Sequence, residues 1–285
     1  MFGCQLPQET SDFERLANVA QECEELGYDS VWAYDHLAPY WTRLGQAFEC
    51  WTLLAAIAQR TKKIKLGSLV TNVNLRSPAL LAKITSTLDN VSKGRLILGL
   101  GTGDSMSRNE LLSYGYSFAG IDERVERLKE TVLILKAMWT EEQVSFQGKY
   151  NKLLDAINYP KPIQRPHPPI WIGGKHVKIL DVIAEMGDGW NYWELKRKML
   201  MQRSEYLSDK CIRIGRDPHQ ITKSWAGTLS HLLKQGGDHN QIVENIREQL
   251  RSQTDHETRY FIASLGARAD PSSYEAFDEA VRSLE

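Results

Sequence analysis

The sequence predicts an α/β fold in which parallel strands close into a TIM (β/α)8 barrel. Short apolar segments typical of buried strands alternate with amphipathic helical segments along the whole chain. The chain has 285 residues, which is enough for eight strand–helix pairs of ordinary size. The alternative is a doubly wound open sheet, but its glycine fingerprint would follow the first strand, where Pro7-Gln8-Glu9 stands instead. We therefore expect residues 1–285 to form one barrel domain.

The predicted strands are bounded by turn residues and helix start signals. They cover residues 2–6, 30–34, 64–70, 96–100, 170–172, 189–192, 221–229 and 260–263. The first helix is predicted to begin near Ser11, which has capping-box spacing to Glu14, and the third at Ser77-Pro78. Residues 142–169 interrupt the alternation with a predicted small hairpin and a cluster of prolines. We interpret them as a surface excursion after the fourth strand–helix unit.

Composition narrows the class of protein. The net charge is −1, which gives no basic footprint for nucleic acid, and no apolar run approaches the roughly 20 residues that span a membrane. The N-terminal residues do not resemble a signal peptide. Four cysteines without CxxC spacing indicate reduced core thiols in a cytoplasmic protein, and the seven scattered histidines predict no metal site. The expected partner is a small-molecule substrate.

The end of the second predicted strand carries the strongest candidate for catalysis. In a TIM barrel the active site lies at the carboxyl ends of the strands. The strand 30–34 leads directly into Asp35 and His36. An imidazole titrates near physiological pH and is suited to general acid–base work. The alternative interpretation is a buried capping aspartate beside a structural histidine.

Two glycine-rich turns follow other strands. Gly101-Thr102-Gly103-Asp104 follows the fourth strand and Gly173-Gly174 the fifth, so that backbone N–H groups can approach an anion closely. Either motif alone would be an ordinary tight turn. Two on the same face of one barrel favour a phosphorylated cofactor. We expect Asp104 to cap the next helix or to accept a hydrogen bond from a ribityl hydroxyl.

Aromatic and amide residues complete the predicted rim. The third strand ends near Asn72 and the sixth at Trp190-Asn191. Three tryptophans are candidates to line a flat ring, although tryptophan also serves as core or wall: Trp41, Trp190 and Trp225.

Several sequence runs, in this order, resemble the bacterial luciferase-like monooxygenase family, and most closely its deazaflavin-dependent branch, the coenzyme F420 oxidoreductases. The runs are residues 26–32 leading into Asp35-His36, residues 64–68 with 78–83, residues 88–95 leading into 99–101, residues 168–174 and residues 187–191. The resemblance covers nearly the whole chain. The chain lacks the long insertions of larger sugar-phosphate-oxidising relatives, and we find no clear matches to the residues that bind the sugar phosphate in those relatives.

The resemblance implies a flavin-type ring over the barrel mouth, next to Asp35 and His36. It also implies a non-prolyl cis peptide at Leu69–Val70 behind the ring, and homodimers formed through the early helices, including residues 50–57. The implied phosphate seats are Thr102, Gly103, Gly173 and Gly174. The complete set of predicted cofactor-binding residues is Leu69, Val70, Asn72, Gly101, Thr102, Gly103, Asp104, Gly173, Gly174, Trp190 and Asn191.

Three functional hypotheses follow. The favoured one is an oxidoreductase that moves a hydride between coenzyme F420 and a small organic substrate, with His36 as general acid or base and Asp35 fixing its tautomer or contacting the ring. The first alternative is an FMN-dependent monooxygenase that uses O2. The second is a non-catalytic flavin-binding protein.

Overall fold

The parallel strands close into a barrel, as predicted. The computed structural model describes residues 1–9, 12–39, 44–234, 237–266 and 269–284. The barrel strands are β1 (Phe2–Gln5), β2 (Ser30–Ala33), β3 (Lys65–Ser68), β4 (Thr71–Asn72), β5 (Leu96–Gly101), β8 (Ile170–Gly173), β9 (Gly189–Trp193), β10 (Thr222–Thr228) and β11 (Thr258–Ser264); β6 (Val144–Gln147) and β7 (Lys152–Ala156) form a separate antiparallel hairpin.

Closure of the sheet distinguishes the barrel from the open-sheet alternative. Neighbouring strands follow the order β3-β2-β1-β11-β10-β9-β8-β5-β4, and an additional parallel pairing of β3 with β5 joins the two ends. The short strand β4 continues the path of β3 and also pairs with β5. Eight positions around the barrel are thereby filled, and the TIM-barrel prediction is confirmed.

Helices surround the barrel. They are α1 (Phe13–Glu25), α2 (Cys50–Arg60), α3 (Pro78–Val91), α4 (Ser107–Ser113), α5 (Ile121–Thr140), α6 (Val177–Met186), α7 (Arg197–Arg213), α8 (Ser230–Lys234), α9 (His239–Gln253) and α10 (Pro271–Arg282). As predicted, Ser77 caps α3 and Pro78 occupies its first turn. Asp12, rather than Ser11, caps α1; Ser11 lies outside the described residues.

The helix α4 was not predicted from the sequence. Only Ser107 and Leu111 are buried in it, so it has no apolar stripe that would reveal its period. The apolar periodicity of the sequence also predicts that Val91 in α3 and Met201 in α7 are buried, and both predictions are wrong, since these residues are exposed. In α7 the preceding residue, Leu200, is buried instead, because a helix turns about 100° per residue and the stripe is narrow.

The predicted excursion contains the hairpin β6–β7, which extends further along the chain than residues 144–150. Glu130 on α5 holds its turn by accepting hydrogen bonds from the backbone N–H groups of Tyr150 and Asn151, at 3.1 and 2.9 Å. The peptides Tyr159–Pro160 and Arg165–Pro166 in the following segment are cis.

The hydrophobic core has two parts. The larger one lies between the strands and the helices, and the smaller one fills the barrel interior with Trp32, Leu69, Ile97, Trp171, Ala226, Tyr260 and Ile262. The ring centroids of Trp32 and Trp171 are 5.3 Å apart, and those of Trp171 and Tyr260 are 4.9 Å apart. Ser30 accepts hydrogen bonds from the Trp32 indole and the Tyr260 hydroxyl, at 2.6 and 2.8 Å. These packed rings fill the barrel interior below the carboxyl ends of its strands.

All four cysteines are buried thiols, as predicted. Within the part of the chain that the structure describes, no helix combines the length and the apolar character needed to cross a membrane.

Candidate active site

Asp35 lies at the end of β2 in a buried ion pair. Its carboxylate is 3% exposed and accepts two hydrogen bonds from the Arg76 guanidinium, at 2.6 and 2.9 Å. It also accepts the backbone N–H of Asn72 at 3.1 Å. Arg76 reaches Glu49 at 2.7 Å as well. These bonds tie the end of β2 to β4 and to the start of α2.

The charges of this pair depend on each other. Burial raises the pKa of Asp35, although its hydrogen bonds and the Arg76 charge oppose this rise. Burial disfavours the charged Arg76, but the bonds and the negative charge of Asp35 outweigh that effect and raise the pKa of Arg76. Asp35 is therefore an anchor for the backbone of Asn72, and its bidentate geometry is the arrangement that favours a buried Arg–carboxylate pair.

His36 lies beside this anchor and is more accessible. Its side chain is 20% exposed, and its Nδ1 atom lies 2.8 Å from Oε2 of Glu110 on α4. The other oxygen of Glu110 accepts the backbone N–H groups of Leu37 and Ala38, the latter at 3.0 Å. Glu110 therefore fixes both the imidazole and the loop that follows it.

This contact assigns the protonation of the imidazole. A carboxylate can only accept, so Nδ1 carries the proton, and Nε2 is the acceptor in the neutral ring. Burial would raise the pKa of Glu110, but bonds from His36 and from the two backbone N–H groups lower it overall. The tautomer-fixing contact that the sequence assigned to Asp35 is made by Glu110.

Val70 forms a bulge in the barrel wall between β3 and β4. The Leu69–Val70 peptide is cis, as the family resemblance implied. Three glycines on the neighbouring strands leave space for this bulge. A Cβ atom at Gly101 would lie 2.5 Å from Val70 Cγ2, one at Gly173 3.0 Å from the same atom, and one at Gly99 1.9 Å from the Ser68 carbonyl. These glycines allow close approach of backbone to side chain.

The turn after β5 is held from outside the barrel. Gly103 has φ +71°, which favours glycine, and the carbonyl of Thr102 accepts bonds from Asn74 at 3.0 Å and from Arg124 at 3.1 Å. Asn72 is buried and accepts from the side-chain amide of Asn74 at 2.9 Å. Asp104 accepts the N–H and the hydroxyl of Ser107, both at 2.9 Å, and so orders the start of α4. Met106, not Asp104, is at the N-cap position of α4, and Asp104 instead binds the first N–H of the helix from two residues further back.

The turn after β8 is glycine-rich for a similar reason. Gly174 has φ +143°, and its N–H donates to the carbonyl of Asn191 at 3.1 Å. Its own carbonyl accepts the indole N–H of Trp190 at 2.7 Å. The Trp190 side chain is 0% exposed and belongs to the outer core layer, so it touches the site only through Gly174.

The aromatic residue at the mouth is Trp193. Side chains alternate along a strand, so Trp190 faces the helices whereas Asn191 and Trp193 face the barrel axis. Asn191 donates to its register partner Ser224 on the neighbouring strand β10 at 2.9 Å, and Trp193 pairs in register with the interior residue Ala226. Trp193 is 40% exposed. Trp225 faces outward and donates to Gln253 on α9 at 3.0 Å, and Trp41 lies outside the described residues.

Comparison with known proteins identifies the family. The family model of luciferase-like monooxygenases matches residues 2–285. The chain belongs to the luciferase-like monooxygenase family. It is 34% identical to an F420-dependent glucose-6-phosphate dehydrogenase of Amycolatopsis mediterranei over 81% of its own length and 68% of that protein. The resemblance inferred from the sequence, including its deazaflavin-dependent branch, is confirmed.

Solved structures share the fold of this family member. An F420-dependent secondary alcohol dehydrogenase in complex with an F420-acetone adduct superposes with a TM-score of 0.85 at 18% identity, covering 100% of this chain and 99% of the other. The monooxygenase RslO1 from Streptomyces bottropensis superposes with a TM-score of 0.79 at 22% identity, covering 99% and 98%. At this identity, the similarity establishes the barrel and nothing finer.

The structure brings most of the predicted site residues to one end of the barrel. Asp35 pairs with Arg76 and accepts the backbone N–H of Asn72, and Val70 lies beside Gly101 on the strand that leads to Thr102 and Gly103. The sequence analysis missed Arg76, Glu110 and Trp193. Strict two-residue alternation within β9 would have selected Trp193 over Trp190, whereas no local pattern indicates that Glu110 and His36, 74 residues apart, form a pair.

Proposed function

We propose that this protein is an F420-dependent oxidoreductase that transfers a hydride between the deazaflavin and a small organic substrate. The observation that carries the proposal is a partly exposed His36, held by Glu110, beside the Leu69–Val70 bulge at the mouth of a luciferase-like barrel. Asp35 links the two features, because it precedes His36 and accepts the N–H of Asn72. A proton-handling group is thus placed next to the segment expected to support the ring.

The residues present fit such a cofactor. Gly99, Gly101 and Gly173 leave no room for a Cβ atom, so this part of the wall is backbone with the Val70 side chain in front of it. The Thr71 hydroxyl is buried without a hydrogen-bond partner among the described residues. We propose that Leu69, Val70 and Asn72 support the ring, with Asn191 beside them. The backbone of Gly101, Thr102, Gly103 and Gly173 would receive the phosphorylated tail. Gly174 would shape this turn without donating, because its N–H and carbonyl are bonded to Asn191 and Trp190.

The bound deazaflavin would supply the hydride chemistry. The chain itself supplies orientation and proton control. With Nδ1 donating to Glu110, Nε2 of His36 is the atom that accepts a proton from a substrate hydroxyl, or returns one in the reverse direction. The negative Glu110 stabilises the protonated imidazole during that transfer. Asp35 and Arg76 keep the surrounding backbone in place.

Trp193 supports a substrate with an apolar or planar portion. It is an exposed aromatic side chain at the mouth, and partly buried indoles contribute contact area at small entropic cost. The relative from Amycolatopsis mediterranei acts on glucose 6-phosphate. For this chain we propose the coarser class, a small molecule with an oxidisable hydroxyl or a reducible carbonyl.

Cofactor choice decides between this proposal and the FMN-dependent monooxygenase. Purified protein is titrated with F420 and with FMN, and binding is followed by the absorbance and fluorescence of each ring. We expect tighter binding of F420, and reduction of bound F420 when a panel of small alcohols is supplied. Tighter binding of FMN together with oxygen consumption would instead support the monooxygenase. Binding of F420 without turnover of any donor or acceptor would support a non-catalytic protein.

We also propose a cytoplasmic homodimer. The buried free thiols support a reducing compartment. The apolar residues of the predicted interface stretch, among them Leu53, Leu54 and Ile57, pack inside the protomer, so any contact through α2 would use its exposed face. Leu80 on α3 and Tyr159 beside it are exposed, and Lys83 joins these segments by donating to the Tyr159 carbonyl. Sedimentation at micromolar concentration tests the dimer, and a monomer would refute it.

A further inference from the structure

Arg124 occupies an unusual position behind the turn that follows β5. It lies on the first turn of α5, outside the barrel, and its guanidinium is half-buried. It donates to the carbonyls of Thr102 and Gly103 and, through Nε, to the carbonyl of Ala119 at 3.1 Å. Its guanidinium carbon lies 4.3 Å from the centre of the Phe118 ring. The group is thus fixed by three backbone carbonyls and one aromatic face.

These bonds determine which way the turn presents its N–H groups. In a trans peptide the C=O and N–H groups point in opposite directions, and the peptide that joins Thr102 to Gly103 is trans. Because Arg124 and Asn74 bind the Thr102 carbonyl, the Gly103 N–H is directed away from Arg124. The positive φ of Gly103 bends the chain at the same point. The Asp104 N–H donates to Ser107 Oγ at 3.4 Å, whereas the Gly103 N–H has no backbone acceptor among the described residues, so it is the donor that this turn can direct at an anion.

The positive charge of Arg124 adds to this effect. Burial of its guanidinium lowers the pKa of Arg124, and the negative charge of Asp104 opposes that change. Within the described ranges, no carboxylate lies within ion-pairing distance of Arg124. The charge of Arg124 therefore interacts with the carbonyl ends of the peptide dipoles in the turn. The N–H ends of these dipoles lie on the opposite side. Such dipoles, oriented in advance, favour an anion without rearrangement.

We propose that Arg124 is a positioning residue for the phosphate group of the cofactor. It acts through the carbonyls of Thr102 and Gly103, without touching the phosphate. The inference rests on the proposed function for the identity of the cofactor, and the turn geometry supplies the rest.

The test compares ligands that differ in the phosphate-bearing tail. F420 is compared with its deazaflavin nucleoside, which lacks the phosphodiester tail, by fluorescence titration against wild type and Arg124→Gln. Loss of a charge-assisted hydrogen bond typically weakens binding about 10- to 100-fold, and we expect this for F420. The nucleoside should lose no more than about threefold, because it has no anion for the turn to hold. Arg124→Lys, which keeps the charge but not the planar fork, should fall between wild type and Arg124→Gln.

Arg127→Gln is the matched control. Arg127 lies one turn further along α5, pairs with Glu123 at 2.8 Å and contacts the ring of Tyr150 at 4.5 Å, away from the turn. Its replacement should leave the affinity for both ligands unchanged. Thermal unfolding of each variant checks the fold, and if Arg124→Gln unfolds, the ligand comparison is made with Arg124→Lys, for which F420 must still weaken more than the nucleoside.

Equal weakening for F420 and the nucleoside would overturn the inference, and so would no weakening for F420. Failure of wild type to bind F420 rejects the proposed cofactor and is a separate outcome. In that case FMN and riboflavin, which differ only in the phosphate, provide the same comparison for Arg124. A wild-type protein that binds neither phosphate-bearing ring more tightly than its phosphate-free counterpart would also overturn the inference.

Discussion

Two pairs of side chains, Asp35 with Arg76 and His36 with Glu110, lie at the end of β2. They differ in burial and in role. The Asp35 side chain is 1% exposed and makes a bidentate pair with Arg76, whereas the His36 side chain is 20% exposed and its Nδ1 atom pairs with Glu110. Arg76 belongs to the segment that follows β4, and Glu110 to the short helix α4. Adjacent residues therefore anchor to different parts of the barrel.

This difference separates a structural role for Asp35 from a proposed proton-transfer role for His36. A largely buried ion pair holds backbone in place, and removing one member leaves the other charge poorly compensated. A partly exposed histidine whose Nδ1 is held by a carboxylate is suited to proton transfer. We conclude that loss of Asp35 should be seen first in stability, and loss of His36 first in turnover.

Asp35→Ala should have the largest effect on stability. It leaves the Arg76 guanidinium largely buried with only Glu49 as an ionic partner, and removal of one member of a buried pair costs about 3–5 kcal/mol. The free energy of unfolding from urea titration measures this loss. Arg60→Gln is the control, because Arg60 pairs with Glu14 at the surface at 3.0 Å and such pairs contribute about 0–1 kcal/mol. Equal losses in the two variants would show that Asp35 is not an anchor.

His36→Ala should reduce turnover by about 10²–10⁴ while leaving the unfolding free energy close to that of wild type, since general acid–base catalysis contributes on this scale. Steady-state kinetics with reduced or oxidised F420 measure kcat separately from KM. His239→Ala is the matched control, because His239 pairs with Glu279 at 3.0 Å on the far surface. Unchanged kcat in His36→Ala would remove the imidazole from the mechanism.

Gly101→Ala should destabilise the Val70 bulge and thereby weaken cofactor binding. The new methyl group would lie 2.5 Å from Val70 Cγ2, and overpacking of this kind lowers the free energy of unfolding by about 1–3 kcal/mol. Adding Val70→Ala should restore part of the lost stability by removing the clashing group. Gly120→Ala serves as control, because a Cβ atom there meets nothing within 4 Å. If Gly101→Ala binds cofactor as well as Gly120→Ala, the bulge does not depend on this glycine.

The smallest expected effect concerns pH. The folded-state pKa of Glu110 is lowered, so its contribution to stability is complete above the unfolded value of about 4.3 and is lost as the pH falls through the lower folded value. The difference in unfolding free energy between wild type and Glu110→Gln should therefore shrink as the pH falls below about 4. A difference that stays constant from about pH 5 down to about pH 2 would contradict the bonds that hold Glu110.

Much of the architecture follows from local patterns. The barrel, the start of α3 and the strand ends carrying Asp35 and Asn191 agree with expectation, because the alternation of strand and helix periods is a short-range property. The helix α4 was missed because it buries too little apolar surface to show a period. The sequence analysis selected Trp190 instead of Trp193 as the exposed aromatic residue because it did not apply the alternation of side chains along β9. Trp190 and Trp193 face opposite sides of the same sheet.

The residue order specified the barrel, the family and the candidate end of the barrel, because these depend on periodicity and on which side chains follow each strand. The roles of Asp35 and Glu110 depended on closure of the chain in three dimensions. A carboxylate is an anchor or a proton partner according to what lies within about 3 Å of it, and the partners of both are distant in sequence. The roles of these two carboxylates therefore follow from distances at the barrel mouth, which no local sequence pattern encodes.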